Sequence, residues 1–236
     1  MAAACANELV RRQHWVVMLK WLQTNGCTMK HCCVHAAKGD NFEVVKWARE
    51  QGYPWYKGQN LYLDSITVCC GAAANGNWEM LEWARENGCP FTENTCAAAA
   101  SGGDLDMLEW LREQGCAWSP QTCEEAASNG HLDILKWASE NGCPLISGNW
   151  DTSLTCAAAS GGHLEVLKWL RGKVVLGITK RVRRRPWLGH FDIVKWAREE
   201  GCPWDTGTYS AAIRSGNYDL WIWVNENGCP REEIEY

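Results

Sequence analysis

Long hydrophobic runs are missing from the 236 residues. None reaches the 18 or so apolar residues a membrane-spanning helix needs, which argues against a membrane role. No C-x-x-C pair occurs among the 14 cysteines, so the usual spacing of a structural zinc or dithiol centre is absent. No nucleotide-binding loop, H-E-x-x-H, G-x-S-x-G, EF-hand or kinase signature appears, and no nucleophile–base arrangement stands out. The reading is therefore of a non-enzyme without a cofactor. A strong excess of positive charge is lacking too: 23 basic residues face 28 acidic ones, which argues against a nucleic-acid binder. The opening MAAACANELVRRQ places small residues ahead of its arginines. That order does not read as a secretory leader, and an intracellular, cytoplasmic location is expected. With 46% apolar and 22% charged residues, disorder is excluded as the main state.

What is there in unusual amount is tryptophan, 16 residues, beside the cysteines. One Trp recurs as an anchor at 21, 47, 83, 110, 137, 169, 196 and 223, with a basic spacing of 27 and extra residues in two joints. Two before the anchor stand Leu19, Val45, Leu81, Leu108, Leu135, Leu167, Val194 and Trp221. Positions three and five before it are apolar in every copy as well. Together with the Trp and the residue after it they form a helical stripe. Six before the anchor come Asn41, Asn77, Asp104, His131, His163, His190 and Asn217, mostly N-cap types, followed two on by a carboxylate that suits a helix start. Five after the anchor comes a Gly in seven copies, often with Pro two later. Gly then Pro predicts a helix stop. Each unit thus carries an outer helix of about three turns.

The other half of the unit is rich in Thr, Cys and Ala: Thr95-Cys96 with Ala97 to Ala100, Thr122-Cys123, Thr155-Cys156, and Thr208 before Ala211 and Ala212. Thr is a good N-cap and Ala a strong helix former, so a second, inner helix starting at the Thr is predicted. A helix pair of this size cannot bury its own apolar face. The copies must stack, which predicts an all-α, helix-turn-helix solenoid of about eight short units.

Thr95-Cys96-Ala97-Ala98-Ala99-Ala100, the following Gly-Gly, and Leu105-Asp106-Met107-Leu108-Glu109-Trp110 resemble the ankyrin repeat. Gly130-His131-Leu132-Asp133-Ile134-Leu135-Lys136-Trp137 is similar to it too, and the resemblance extends over roughly residues 7–230. The copies depart from the family in having Thr-Cys-Ala-Ala for Thr-Pro-Leu-His and in being about six residues shorter than the usual 33. The shortfall lies where family members project a β-hairpin, so a full row of hairpin fingers is not expected. Short, Trp- and Cys-rich arrays of this kind resemble those of large-genome protists and giant viruses. The resemblance implies a protein–protein interaction scaffold over 1–236, with a protein partner, no nucleic acid and no membrane. Alternatives are a substrate-recruiting module of a ubiquitin ligase or a Cys/His metal-binding protein. The chain could also be part of a longer array.

One unit is degenerate, at about 172–188. From Gly172 to Pro186 it has no stop Gly, no Thr-Cys and no Ala run, yet the next anchor still falls 27 residues on. Codons built from the third base of one residue and the first two of the next can encode Glu-Gly-Cys-Pro-Trp-Asp-x-x-Thr-Cys-Ala-Ala-Ala-Ala. That string is the repeat itself, which suggests two compensating frame changes. The same segment holds six basic and no acidic residues, including Lys180 to Arg185. This run has the look of a nuclear-localisation or nucleic-acid patch, but its place in the degenerate unit makes it incidental.

Most cysteines fall at two repeat positions, after the stop Gly or after the inner-helix Thr, and read as small buried hydrophobes in a reducing compartment. His31, Cys32, Cys33 and His35 form the one metal-like cluster, without an evident fourth ligand. His131, His163 and His190 share a repeat position and read as structural. The anchor tryptophans read as packing between copies. The candidate partner-binding residues are Trp55, Tyr56, Trp118, Leu145, Trp150 and Trp204, which follow the outer helices on joints where variation is tolerated.

Overall fold

The computed structural model describes residues 17, 32–55, 67–145, 153–173, 190–201 and 206–230. Among these residues the fold is all-α, with thirteen helices of seven to ten residues. Inner helices are α1 (Cys32–Lys38), α3 (Val68–Ala74), α5 (Glu93–Gly102), α7 (Pro120–Asn129), α9 (Ser153–Gly161) and α12 (Thr206–Arg214). Outer helices are α2 (Phe42–Glu50), α4 (Trp78–Glu86), α6 (Leu105–Glu113), α8 (Leu132–Glu140), α10 (Leu164–Lys173), α11 (Phe191–Glu199) and α13 (Tyr218–Glu226). The chain divides into two compact units, 1–122 and 123–236, the division falling within α7.

Outer helices begin and end for the reasons the spacing predicts. The Asn77, Asp104 and Asn217 side chains accept from the backbone N–H three residues on, at 2.8, 2.9 and 3.0 Å, which satisfies an otherwise orphaned donor. The stop glycine takes the left-handed conformation, as at Gly88 with φ 86°. The next residue then donates back into the last turn: Cys89 N to Ala84 O, 2.9 Å; Cys116 N to Leu111 O, 3.0 Å; Cys143 N to Ala138 O, 2.9 Å. This is the Schellman closure, and it turns the chain sharply off the helix. In α10, where no stop glycine exists, the helix runs to Lys173, one register position beyond the end of the other outer helices. The remainder of the degenerate unit, 174–189, lies outside the described residues.

The inner helices differ from the expected starts. Thr67 does cap α3, accepting from Cys70 N at 3.3 Å. By contrast α5 starts three residues before Cys96, with Thr92 as cap and Thr95 closing a reciprocal capping box by accepting from Thr92 N at 3.1 Å. Thr95 therefore sits inside the first turn, fully buried. Similarly α7 starts at Pro120, ahead of Thr122, because Pro fits the first helical turn at no loss of a donor. The joints Asn87–Thr92 and Gln114–Ser119 are short and hold no hairpin.

In α2 the whole predicted stripe is buried, and in the other outer helices the core is narrower than that stripe. Met80, Leu81 and Ala84, and their counterparts Met107, Leu108, Leu111 and Ile134, Leu135, Ala138, are wholly buried. Among the described residues, the one five before the anchor is buried only at Phe42, half-buried at Trp78, Leu105, Leu132, Leu164 and Phe191, and exposed at Tyr218. Small residues let inner helices approach closely. A Cβ placed on Gly71 would lie 2.8 Å from the Ala37 Cβ, and one on Gly102 would lie 2.7 Å from the Ala74 carbonyl oxygen. No helix among the described residues is long and apolar enough to cross a membrane.

Candidate functional site

The joints after the outer helices were the predicted contact region, and the structure gives them an internal order. In the first unit an Arg two residues past the anchor lies over an aromatic eight past it. Arg49 stands 4.1 Å from the Trp55 ring centroid, Arg85 4.7 Å from Phe91, and Arg112 4.1 Å from Trp118. Arg49 and Arg112 also donate from Nη1 to the carbonyls of Tyr53 and Cys116, two residues before the ring. Each guanidinium thus ties the turn to its own helix while its face covers an aromatic, a cation–π contact. The α8 copy has neither partner: Ser139 and Leu145 occupy the two positions, and the Ser139 hydroxyl donates to Lys136 O at 3.1 Å.

The aromatic eight past the anchor has a second neighbour. Trp55 meets Trp83 edge-on with centroids 5.8 Å apart, and Phe42 meets the same Trp83 at 5.5 Å. One copy on, Phe91 and Trp78 hold Trp110 in the same way at 5.9 and 5.7 Å. Each of these anchors is gripped by two aromatics of the copy before it. The edge-to-face geometry is the favoured one for ring pairs. Anchor packing between copies is thereby observed, though the anchors themselves range from buried (Trp47, Trp196) to half-buried (Trp83, Trp110, Trp137, Trp169, Trp223).

Of the predicted contact residues, Trp55 is only 7% exposed. Trp83 and Arg49 lie against its ring, so its place is in packing. Trp118 and Leu145 are half-buried and reach solvent. Tyr56, Trp150 and Trp204 lie outside the described residues. Phe91, Arg49, Arg85 and Arg112 were missed. Their signal was present in the fixed +2 and +8 spacing, which pairs an Arg with an aromatic.

The recurrent histidines join copies. His163 Nε2 lies 3.1 Å from Ser128 O, and His190 Nε2 lies 3.1 Å from Ser160 O, each donating to the end of the preceding inner helix. Cys33 is buried and His35 exposed, while His31 lies outside the described residues. Among the described residues no three of His, Cys, Asp or Glu gather in a group that could hold a metal ion.

The repeat cysteines come together in pairs. The inner-helix thiol meets the thiol after the stop Gly 20 residues on: Cys69 with Cys89, Cys96 with Cys116, and Cys123 with Cys143, whose sulfurs are 3.2 Å apart. Cys116 is lowered from the ordinary thiol range by the hydrogen bond from Cys96, against burial and with help from Arg112 and Arg85. Cys123 is pushed up by the hydrogen bond it donates to Cys143 and by burial.

Residues 123–171 match the family model described as ankyrin repeats (many copies). No curated protein matches the chain. Among solved structures, the crystal structure of the human ASB11 ankyrin repeat domain is similar at 19% identity and a TM-score of 0.47, covering 74% of this chain and 84% of that one. Ankyrin repeats are protein–protein interaction modules and generally non-enzymatic. The matched stretch runs from α7 to α10, and the same helix pair recurs before and after it; over residues 123–171 the chain is similar to the ankyrin repeat proteins.

Proposed function

We propose that the chain is a non-enzymatic scaffold, a single array over 1–236 that captures a protein partner along its joints. The observation that supports this most is Trp118. It is a half-buried aromatic on a short joint, its ring held by Arg112, whose Nη1 donates to the Cys116 carbonyl. A large apolar group already held in place loses little freedom on binding, which is what an interface anchor requires. Leu145 occupies the same register position in the next copy and adds a second apolar contact. The joint shape varies from copy to copy while the helices stay constant, so specificity is read from the joints.

The test is affinity capture from cell extract with the wild-type chain and a Trp118→Glu, Leu145→Glu variant, with bound proteins identified by mass spectrometry. The variant should lose the specific partners while its far-UV circular dichroism stays unchanged. Undiminished capture by a folded variant would move the contact face to the inner helices.

A further inference from the structure

We propose that Cys123 and Cys143 form a reversible disulfide by exchange with a low-molecular-weight disulfide, and that this pair reacts ahead of its counterparts in the preceding copies. Three observations carry this. First, the two sulfurs already touch, at 3.2 Å, with Cys123 donating to Cys143, so bond formation asks for a short approach rather than a rearrangement of the fold. Second, the pair is placed like an attacking and a resolving thiol. Cys123 is wholly buried on α7, and Cys143, also buried at 4% exposure, lies just past the stop Gly beside the exposed Pro144 and is the nearer of the two to the surface. Third, its cover differs. In the Cys96 and Cys116 copy, Arg112 ties down the Cys116 carbonyl and Trp118 lies beneath that guanidinium. In the Cys123 and Cys143 copy the corresponding Ser139 turns back to Lys136 O and the ring is replaced by Leu145. The turn carrying Cys143 therefore lacks the arginine clamp that covers the Cys116 turn, and opens more readily to a small oxidant.

The exchange balances as follows. Cys143 gives up its proton, and its sulfur attacks one sulfur of glutathione disulfide. The glutathione S–S bond breaks, and the first glutathione leaves as a thiolate that takes up the proton. Cys123 then gives up its own proton and attacks the Cys143 sulfur. The Cys123–Cys143 bond forms, the mixed disulfide breaks, and the second glutathione leaves with that proton. Two protein thiols are oxidised and one small disulfide is reduced to two thiols. The closed loop staples α7 to the joint that begins at Leu145, so the proposed contact surface would be tied to thiol redox state. In reducing compartments, disulfides that do form are typically transient and sensing.

The full chain is incubated in glutathione redox buffers, quenched in acid, alkylated with N-ethylmaleimide, digested and mapped by mass spectrometry. A Cys123–Cys143 cross-linked peptide should accumulate several-fold faster than a Cys96–Cys116 one. Trp118→Leu with Arg112→Ser should bring the Cys96–Cys116 rate to within about twofold of it. Cys123→Ser should stop Cys143 at the glutathione adduct. Equal rates for the two pairs, an adduct on Cys143 without a cross-link in the wild type, or two fully alkylated thiols under oxidising buffer would each overturn the proposal.

Discussion

The copy built on α5 and α6 and the copy built on α9 and α10 start their outer helices alike and finish them differently. Both bury the residues three and two before the anchor and the one after it: Met107, Leu108 and Leu111 in one, Val166, Leu167 and Leu170 in the other. After the anchor the first has Gly115, Cys116 and Trp118, and Arg112 reaches the Cys116 carbonyl and the Trp118 ring. The second has no stop glycine and no aromatic eight past Trp169. Its Arg171 pairs instead with Glu200 and stands 5.9 Å from the Trp196 centroid. The comparison teaches that the helix stripe and the joint clamp are separate devices. Loss of the clamp leaves the helix core intact and sends the arginine to another partner.

The comparison can be broken most forcefully at the shared core. Leu108→Ala should cost about 2–5 kcal/mol by urea denaturation, because a wholly buried side chain leaves a cavity behind. Leu105→Ala, three residues earlier and half-buried, should cost less than half as much. Next comes the stop itself. Gly88→Ala forces a Cβ into a left-handed backbone with φ 86°, and should cost roughly 1–2 kcal/mol although no atom crowds the site. The clamp ranks third. Arg112→Met should cost about 0.5–1 kcal/mol, the range of an exposed cation–π contact, and Ser139→Arg with Leu145→Trp should gain a similar amount in the α8 copy. Smallest is the exposed ion pair Glu165–Lys168 at 2.7 Å on α10. Glu165→Gln should change stability by at most about 0.5 kcal/mol, and less still in high salt.

The missing aromatic after Trp169 also bears on the degenerate segment. Where Arg stands two past the anchor, an aromatic stands eight past it at Trp55, Phe91, Trp118 and Trp204; Arg171 alone has Gly177 there. The shifted reading frame supplies Trp at that place. The coding sequence should therefore encode the repeat one base over across residues 172–186. A coding sequence that does not would remove the frame-change explanation and leave Gly177 without one.

Much of the architecture was legible because repetition averages out the noise of any single segment. The caps at Asn77, Asp104 and Asn217, the stop glycines and the buried pairs such as Leu81 with Met80 each follow from local rules that act within one turn. The start of α5 was not legible. Thr92 and Thr95 are both competent caps, and only the reciprocal bond between them decides that the helix begins at the earlier one. The candidate contact set was only partly legible. Trp55 and Trp118 hold the same repeat position, yet Trp55 is buried against Trp83 and Arg49 while Trp118 keeps a face toward solvent.

By itself the sequence determined the 27-residue unit, its two helices, their stops and the residue types that face inward, because hydrogen-bond closure and amphipathic periodicity are properties of short stretches of chain. Tertiary structure alone decided which aromatics become packing and which remain available, that His163 and His190 bridge to the copy before them, and that thiols 20 residues apart meet. Those outcomes depend on how one copy's side chains fill the space left by another, and no local rule contains that volume.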